Sequence, residues 1–64
     1  MGKRIRALRR AKDLTQGQLA EMCGCSQATI ANIEQGKRKP SIGLAFEISK
    51  ALETTLDYLL TGKS

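Results

Sequence analysis

Histidine is absent from this 64-residue chain, and its aromatic residues amount to one Phe and one Tyr. Without His, the Ser and Cys side chains have no base to activate them, and the carboxylates are scattered rather than paired. No glycine-rich phosphate loop follows a strand. An enzyme is therefore not expected, nor is a cofactor. The only cysteines, Cys23 and Cys25, cannot close a tetrahedral zinc site, which takes about four ligands. With a single residue between them, a disulfide would be strained. Both are expected to serve as small apolar side chains in a reducing compartment. No apolar run is long enough to span a bilayer, and no signal-peptide pattern leads the chain. The expectation is a soluble protein of the cytoplasm. With so few aromatics, its core must be built from Leu, Ile and Ala.

What is abundant is positive charge, +5 overall with a pI near 9.7, and its placement is uneven. Lys3, Arg4, Arg6, Arg9, Arg10 and Lys12 crowd the first twelve positions, and Lys37, Arg38 and Lys39 form a second cluster. From Pro40 onward, Lys50 and Lys63 stand against Glu47, Glu53 and Asp57. Such asymmetry suits a face that binds a polyanion, although the same charges would also keep a small protein soluble. At this length a chain forms one domain with a modest core and buries only about 60% of its unfolded surface.

The pattern predicts an all-α, compact five-helix bundle occupying residues 1–64 as a single domain. A first helix runs from about Lys3 to Lys12 with Ile5 and Leu8 inward. Thr15 with Gln18 makes a capping box for the second helix, in which Leu19, Met22 and Cys23 are expected to be buried. Gly24 supplies a left-handed stop, and Ser26 caps the third helix one residue later, giving a corner rather than an antiparallel hairpin. That helix ends near Gln35, before Gly36. Ser41 caps a fourth helix that ends near Leu52, and Thr55 caps a fifth before Gly62. In the fourth, Ile42, Ala45, Phe46 and Leu52 share one side while Leu44, Ile48 and Ala51 share the other. That pattern suggests a central helix apolar over most of its circumference and touching all the others. Leftover apolar surface with Leu56 and Tyr58 is the expected place for a weak dimer contact.

The third helix carries the functional signal. On a helical wheel Ile30 and Ile33 point inward, whereas Gln27, Ala28, Ala31, Asn32 and Gln35 share an outer face with no charge. Gln and Asn amides can pair with the N6 and N7 edge of adenine, and Ala allows close approach and contact with a thymine methyl. The basic loop and the free N–H groups at the starts of helices two and three are suited to phosphates.

The stretch Gln16 to Glu34, QGQLAEMCGCSQATIANIE, resembles the helix-turn-helix of lambdoid phage repressor and Cro proteins. The matching positions are Gln16 opening helix two, Ala20 where the helices cross, Gly24 in the turn, and Ile30 and Ile33 in the core. Ala20 must be small because helix three packs over it. Glu34 to Ser41, EQGKRKPS, and Leu56 to Gly62, LDYLLTG, extend the likeness over nearly the whole chain. The helix-turn-helix itself occupies about residues 15–35.

The resemblance implies a sequence-specific DNA-binding transcriptional regulator of phage or prokaryotic type. It would be a nucleoid-associated repressor that binds a near-palindromic operator as a dimer through the major groove. Gln27, Ala28, Ala31 and Asn32 would face bases, and Gln16, Ser26, Lys37 and Arg38 would meet phosphates. It also implies a structural pair between Arg9 and Glu34. Cys25 stands where the family usually has Val or Thr. Longer repressors continue past the point of Ser64 into a dimerisation domain, so both a stand-alone Cro-like protein and the N-terminal part of a longer repressor fit. The rival reading is an adaptor for protein partners on the same bundle, which the neutral amide face with flanking cations disfavours. Membrane binding through the basic first helix is disfavoured too, because Ile5 and Leu8 give too narrow a stripe and are needed inside.

Overall fold

A computed structural model describes residues 1–63; Ser64, the last position of the predicted domain, lies outside them. Five helices follow in order: α1 Gly2–Ala11, α2 Gln16–Cys23, α3 Gln27–Glu34, α4 Ile42–Ala51 and α5 Leu56–Thr61. No strand occurs among the described residues. Each of the last four helices opens on a hydroxyl cap. Thr15, Ser26, Ser41 and Thr55 accept from the backbone N–H three residues on, at 3.0, 3.1, 3.2 and 3.1 Å. Each cap satisfies one of the orphan donors of its first turn, worth about 1 kcal/mol.

The helix ends are equally regular. In α2 the Cys25 N–H donates to the Ala20 carbonyl and the Gly24 N–H to that of Glu21. Lys37 with Asn32 and Gly36 with Ile33 repeat this closure at α3. Leu14 with Arg9 and Asp13 with Arg10 repeat it at α1, as do Thr54 with Ser49 and Glu53 with Lys50 at α4. The motif places one residue in the left-handed region. Gly24 and Gly36 occupy it at φ of 71° and 79°, but the other two closures use Asp13 at 56° and Glu53 at 55°. A side chain there is strained, and the Asp13 carboxylate also faces the negative end of the α1 dipole. Asp13→Gly is therefore expected to raise unfolding stability by about 0.5–1 kcal/mol in urea titrations.

The substantial packing contacts link α1 to α3, α3 to α2, α2 to α4 and α4 to α5. The core of Ile5, Leu19, Ala20, Ile30, Ile33, Ile48, Leu52 and Leu59 is wholly aliphatic. At the start of the chain, a Cβ on Gly2 would come within 2.7 Å of the Glu34 carbonyl oxygen. Only glycine lets α1 approach the end of α3 so closely.

Two expectations about burial are corrected. Met22 is 53% exposed: Leu19, Ala20 and Cys23 set the inward direction of α2, and Met22 falls on the flank turned away from Ala20. Nor is α4 buried all round. Ala45, Ile48, Ser49 and Leu52 form a single inward stripe, while Ile42 and Phe46 are 68% and 51% exposed. The main neighbours of α4 are α2 and α5, so nothing covers its outer side. The Lys50 ammonium sits 5.3 Å from the centre of the Phe46 ring, shielding part of it. The buried hydroxyl of Ser49 donates to the Phe46 carbonyl at 2.7 Å, which removes the cost of burying it.

Candidate nucleic-acid interface

The corner between α2 and α3 brings two helix starts side by side. A Cβ on Gly17 would lie 3.6 Å from Oε1 of Gln27, so the first turn of α3 stands next to that of α2. At α2 the capping box is complete: Thr15 Oγ1 accepts from the Gln18 N–H, and Gln18 Oε1 accepts from the Thr15 N–H at 2.9 Å. At α3 the Ser26 hydroxyl accepts from the Thr29 N–H and also pairs with the Thr29 hydroxyl at 2.8 Å. These caps take the third N–H of each helix. The N–H groups of Gln16, Gly17, Gln27 and Ala28 lie in first turns, where no helical carbonyl can reach them, and they combine with two positive dipole ends. A paired arrangement of this kind is chemically suited to anionic oxygens.

On α3, Ile30, Ile33 and Glu34 are buried. Gln27, Ala28 and Gln35 are exposed on the opposite side, whereas Ala31 and Asn32 are half-buried at its border. Ser26 is exposed and Gln16 half-buried at the neighbouring helix starts. Lys37, Arg38 and Lys39 are all exposed in the loop that leaves α3. Amide and methyl groups thus make an outer face without charge, flanked by free N–H groups at one end and cations at the other. Leu56 and Tyr58, half-buried on α5, belong to the α4–α5 side.

The first basic cluster behaves differently from the second. Arg9 is only 8% exposed and donates to Glu34 through Nε at 2.6 Å and Nη2 at 3.0 Å. Its remaining terminal nitrogen, Nη1, donates to the Leu14 carbonyl at 2.7 Å. Arg4 reaches across to the end of α5, where Nε and Nη2 donate to the Leu59 carbonyl at 3.3 and 3.0 Å. Lys12 pairs with Glu53 at 2.7 Å on the surface. Half of the six N-terminal cations are therefore engaged in holding helices together, and only Lys3, Arg6 and Arg10 remain as open charge. Charge counting in the sequence has no means of separating the two kinds.

Around Glu34 the electrostatics are one-sided. Burial alone would push its carboxyl up, but the hydrogen bonds from Arg9 and Gln16 and the charges of Arg9 and Arg6 outweigh it and hold the group below its ordinary value. The hydrogen bonds that Arg9 donates to Glu34 correspondingly hold its guanidinium more firmly protonated, against the effect of burial. The contact with Gln16 was not legible in the sequence. Its amide Nε2 lies 3.2 Å from Glu34 Oε1 and ties the first residue of α2 to the last of α3. Gln16 and Glu34 are 18 positions apart, and no local periodicity connects them.

The cysteines flank Gly24 and pack against the core as free thiols. Burial, with Cys25 and Glu47 adding to it, pushes the Cys23 thiol up to about 11. A thiol so hard to ionise is a poor nucleophile and a poor metal ligand. Among the described residues no group of three or more metal-ligating side chains comes together.

A helix-turn-helix family model matches residues 5–59, which covers the whole arrangement from Ile5 to Leu59. The chain belongs to the helix-turn-helix family. It is 39% identical over 62 residues to the C2 repressor of Salmonella phage P22, covering 97% of this chain and 29% of that protein. It is 35% identical over 60 residues to a helix-turn-helix transcriptional regulator of Bacillus subtilis, covering 94% of this chain and 52% of that one. The chain thus spans under a third of the phage repressor and about half of the bacterial regulator. Among solved structures, the crystal structure of the P22 repressor with a synthetic operator superposes with a TM-score of 0.94. The identity is 37%, over 97% of this chain and 94% of that one. These findings confirm the phage-repressor resemblance read from the sequence and the all-α helix-turn-helix fold. The relatives are regulators, in keeping with the expectation that this chain is no enzyme. No helix among the described residues is long and apolar enough to cross a membrane.

Proposed function

We propose that this helix-turn-helix chain is a sequence-specific transcriptional repressor that lays α3 in the major groove of DNA, acting in the cytoplasm on the nucleoid. The observation that carries this reading is the uncharged outer face of α3, set between two adjacent helix starts and an exposed basic loop. Gln27 and Asn32 offer amides to base edges, while Ala28 and Ala31 permit close approach. Gln16, Ser26, Lys37 and Arg38 surround them as phosphate contacts, which fix position without reading sequence. Support comes from the P22 repressor, whose solved complex contains a synthetic operator.

The operator in this proposal is a near-palindrome bound by a weak dimer, with two copies of α3 about 34 Å apart. The dimer contact is placed on the α4–α5 side. There Leu56 and Tyr58 are half-buried, and Ile42, Phe46 and Leu60 leave apolar area uncovered. Leu60 also borders an open cleft of about 480 Å³ whose apolar lining includes Met1, Ile33 and Pro40.

Selection of bound duplexes from a random pool tests the proposal, followed by affinity measurements on single base-pair variants of the recovered sequence. Asn32→Ala is expected to lower discrimination by about 1–3 kcal/mol at one base pair, whereas Lys37→Ala weakens all sequences alike and lessens the salt dependence. Equal effects of both changes on every variant would contradict this division of labour. Recovery of no consensus would turn the assignment toward a protein partner. A single copy bound without cooperativity to an isolated half-site would contradict the dimer.

A further inference from the structure

We infer that Glu34 is a positioning residue for Gln16, holding its side-chain amide so that one N–H points inward to the protein and the other outward to a DNA phosphate. The inference rests on the DNA-binding reading above and names what prepares one of its backbone contacts.

Glu34 lies at the end of α3 with its side chain only 3% exposed. Arg9 grips both carboxylate oxygens from α1, so the group has no freedom to swing. The Oε1 atom that accepts from Arg9 Nη2 at 3.0 Å also accepts from Gln16 Nε2 at 3.2 Å. A carboxylate can only accept, so the atom of Gln16 that faces it must be the NH2 and not the amide oxygen. One of the two N–H bonds is thereby used up inside. The other projects from the same nitrogen, on a half-buried residue in the first turn of α2, beside the free N–H groups of Gln16 and Gly17. An exposed Gln would otherwise sample many rotamers and present its oxygen to a phosphate about as readily as its nitrogen. Immobilising the amide in the donor orientation before DNA arrives removes that ordering cost from binding. The buried ion pair thus does more than join α1 to α3: it sets the direction of a contact on α2.

Two substitutions separate this role from simple support of the fold. Gln16→Asn keeps the amide but is one methylene too short to reach both Glu34 and a phosphate, and it leaves the Arg9–Glu34 pair intact. On the duplex recovered by selection, Gln16→Asn is expected to bind about tenfold more weakly, as weakly as Gln16→Ala. Full affinity of Gln16→Asn would overturn the inference. Glu34→Gln, compared under conditions where circular dichroism shows it folded, supplies the second arm. If Glu34 acts through Gln16, Gln16→Ala costs little further affinity in that background. A merely structural Glu34 would leave the two penalties additive, which also overturns the inference. In the free protein, the Gln16 side-chain amide proton that donates to Glu34 is expected downfield of the position of a free glutamine amide, and it should return toward that position in Glu34→Gln; identical spectra would contradict the assignment without reference to DNA. Absence of salt-dependent duplex binding by the wild-type chain would remove the DNA reading and this inference together. Binding that persists with additive penalties removes only the inference.

Discussion

Glu34→Ala is expected to cost about 3–5 kcal/mol of unfolding stability, because it strands the buried Arg9 guanidinium with only the Leu14 carbonyl for company. A 64-residue domain has roughly 3–10 kcal/mol in total at typical values per residue. The variant should therefore show a strongly shifted or vanished cooperative transition in urea, followed by circular dichroism. Arg9→Ala should behave similarly for the converse reason, leaving a buried carboxylate with one amide donor. Replacing both members together, as Arg9→Met with Glu34→Leu, should recover much of the loss, since no charge is then left unpaired. If either single change costs under about 1 kcal/mol, the pair is not the tie between α1 and α3 described above.

The same carboxylate gives the protein a pH dependence of definite sign. Its value in the folded chain is depressed, so its contribution is fully present above the unfolded value near 4.3 and is lost as pH falls through the lower folded value. Stability should be level from neutrality to about pH 5 and decline in the acid range. Glu34→Gln should flatten that decline.

Ala28→Glu is expected to abolish operator binding while leaving the fold intact. Ala28 is exposed in the first turn of α3, where a carboxylate is favoured by the helix dipole, so stability should hold or rise by a few tenths of a kcal/mol. In the major groove, the same carboxylate would meet base acceptors and nearby phosphates, and like-charge contacts of this kind cost several kcal/mol. Band-shift titration should show a loss of at least about a hundredfold. Unchanged binding by a folded Ala28→Glu protein would mean that this face of α3 does not enter the groove.

Much of the architecture was legible because local chemistry and periodicity agreed. Thr15, Ser26, Ser41 and Thr55 each sit where a hydroxyl cap must, and all four accept the expected N–H. Gly24 and Gly36 mark helix ends because only glycine takes the left-handed conformation at no cost. Asp13 and Glu53 occupy the same conformation against preference, so the ends of α1 and α4 gave no comparable signal. Burial on short helices was harder to read. Met22, Ile42 and Phe46 are apolar but lie outside the stripe that neighbours cover, and which neighbour covers which flank is a property of the tertiary arrangement.

The candidate face followed a similar division. The uncharged outer side of α3 is a matter of helical spacing and could be read directly. The pairing of Arg9 with Glu34 was implied by the family resemblance, but the loss of Arg4 and Lys12 from the open positive surface could not be read, because Leu59 and Glu53 are distant in sequence. Nor could Gly2, whose close approach to α3 depends on where the end of α3 comes to rest.

The central claim is that DNA meets the protein on the α2–α3 corner, and backbone amide shifts followed by NMR while a selected duplex is titrated in test it most directly. The largest changes are predicted at Gln16, Gly17, Gln27, Ala28, Asn32, Lys37 and Arg38, with little movement in the middle of α4. Changes centred instead on the open cations of α1, at Lys3, Arg6 and Arg10, would contradict the account.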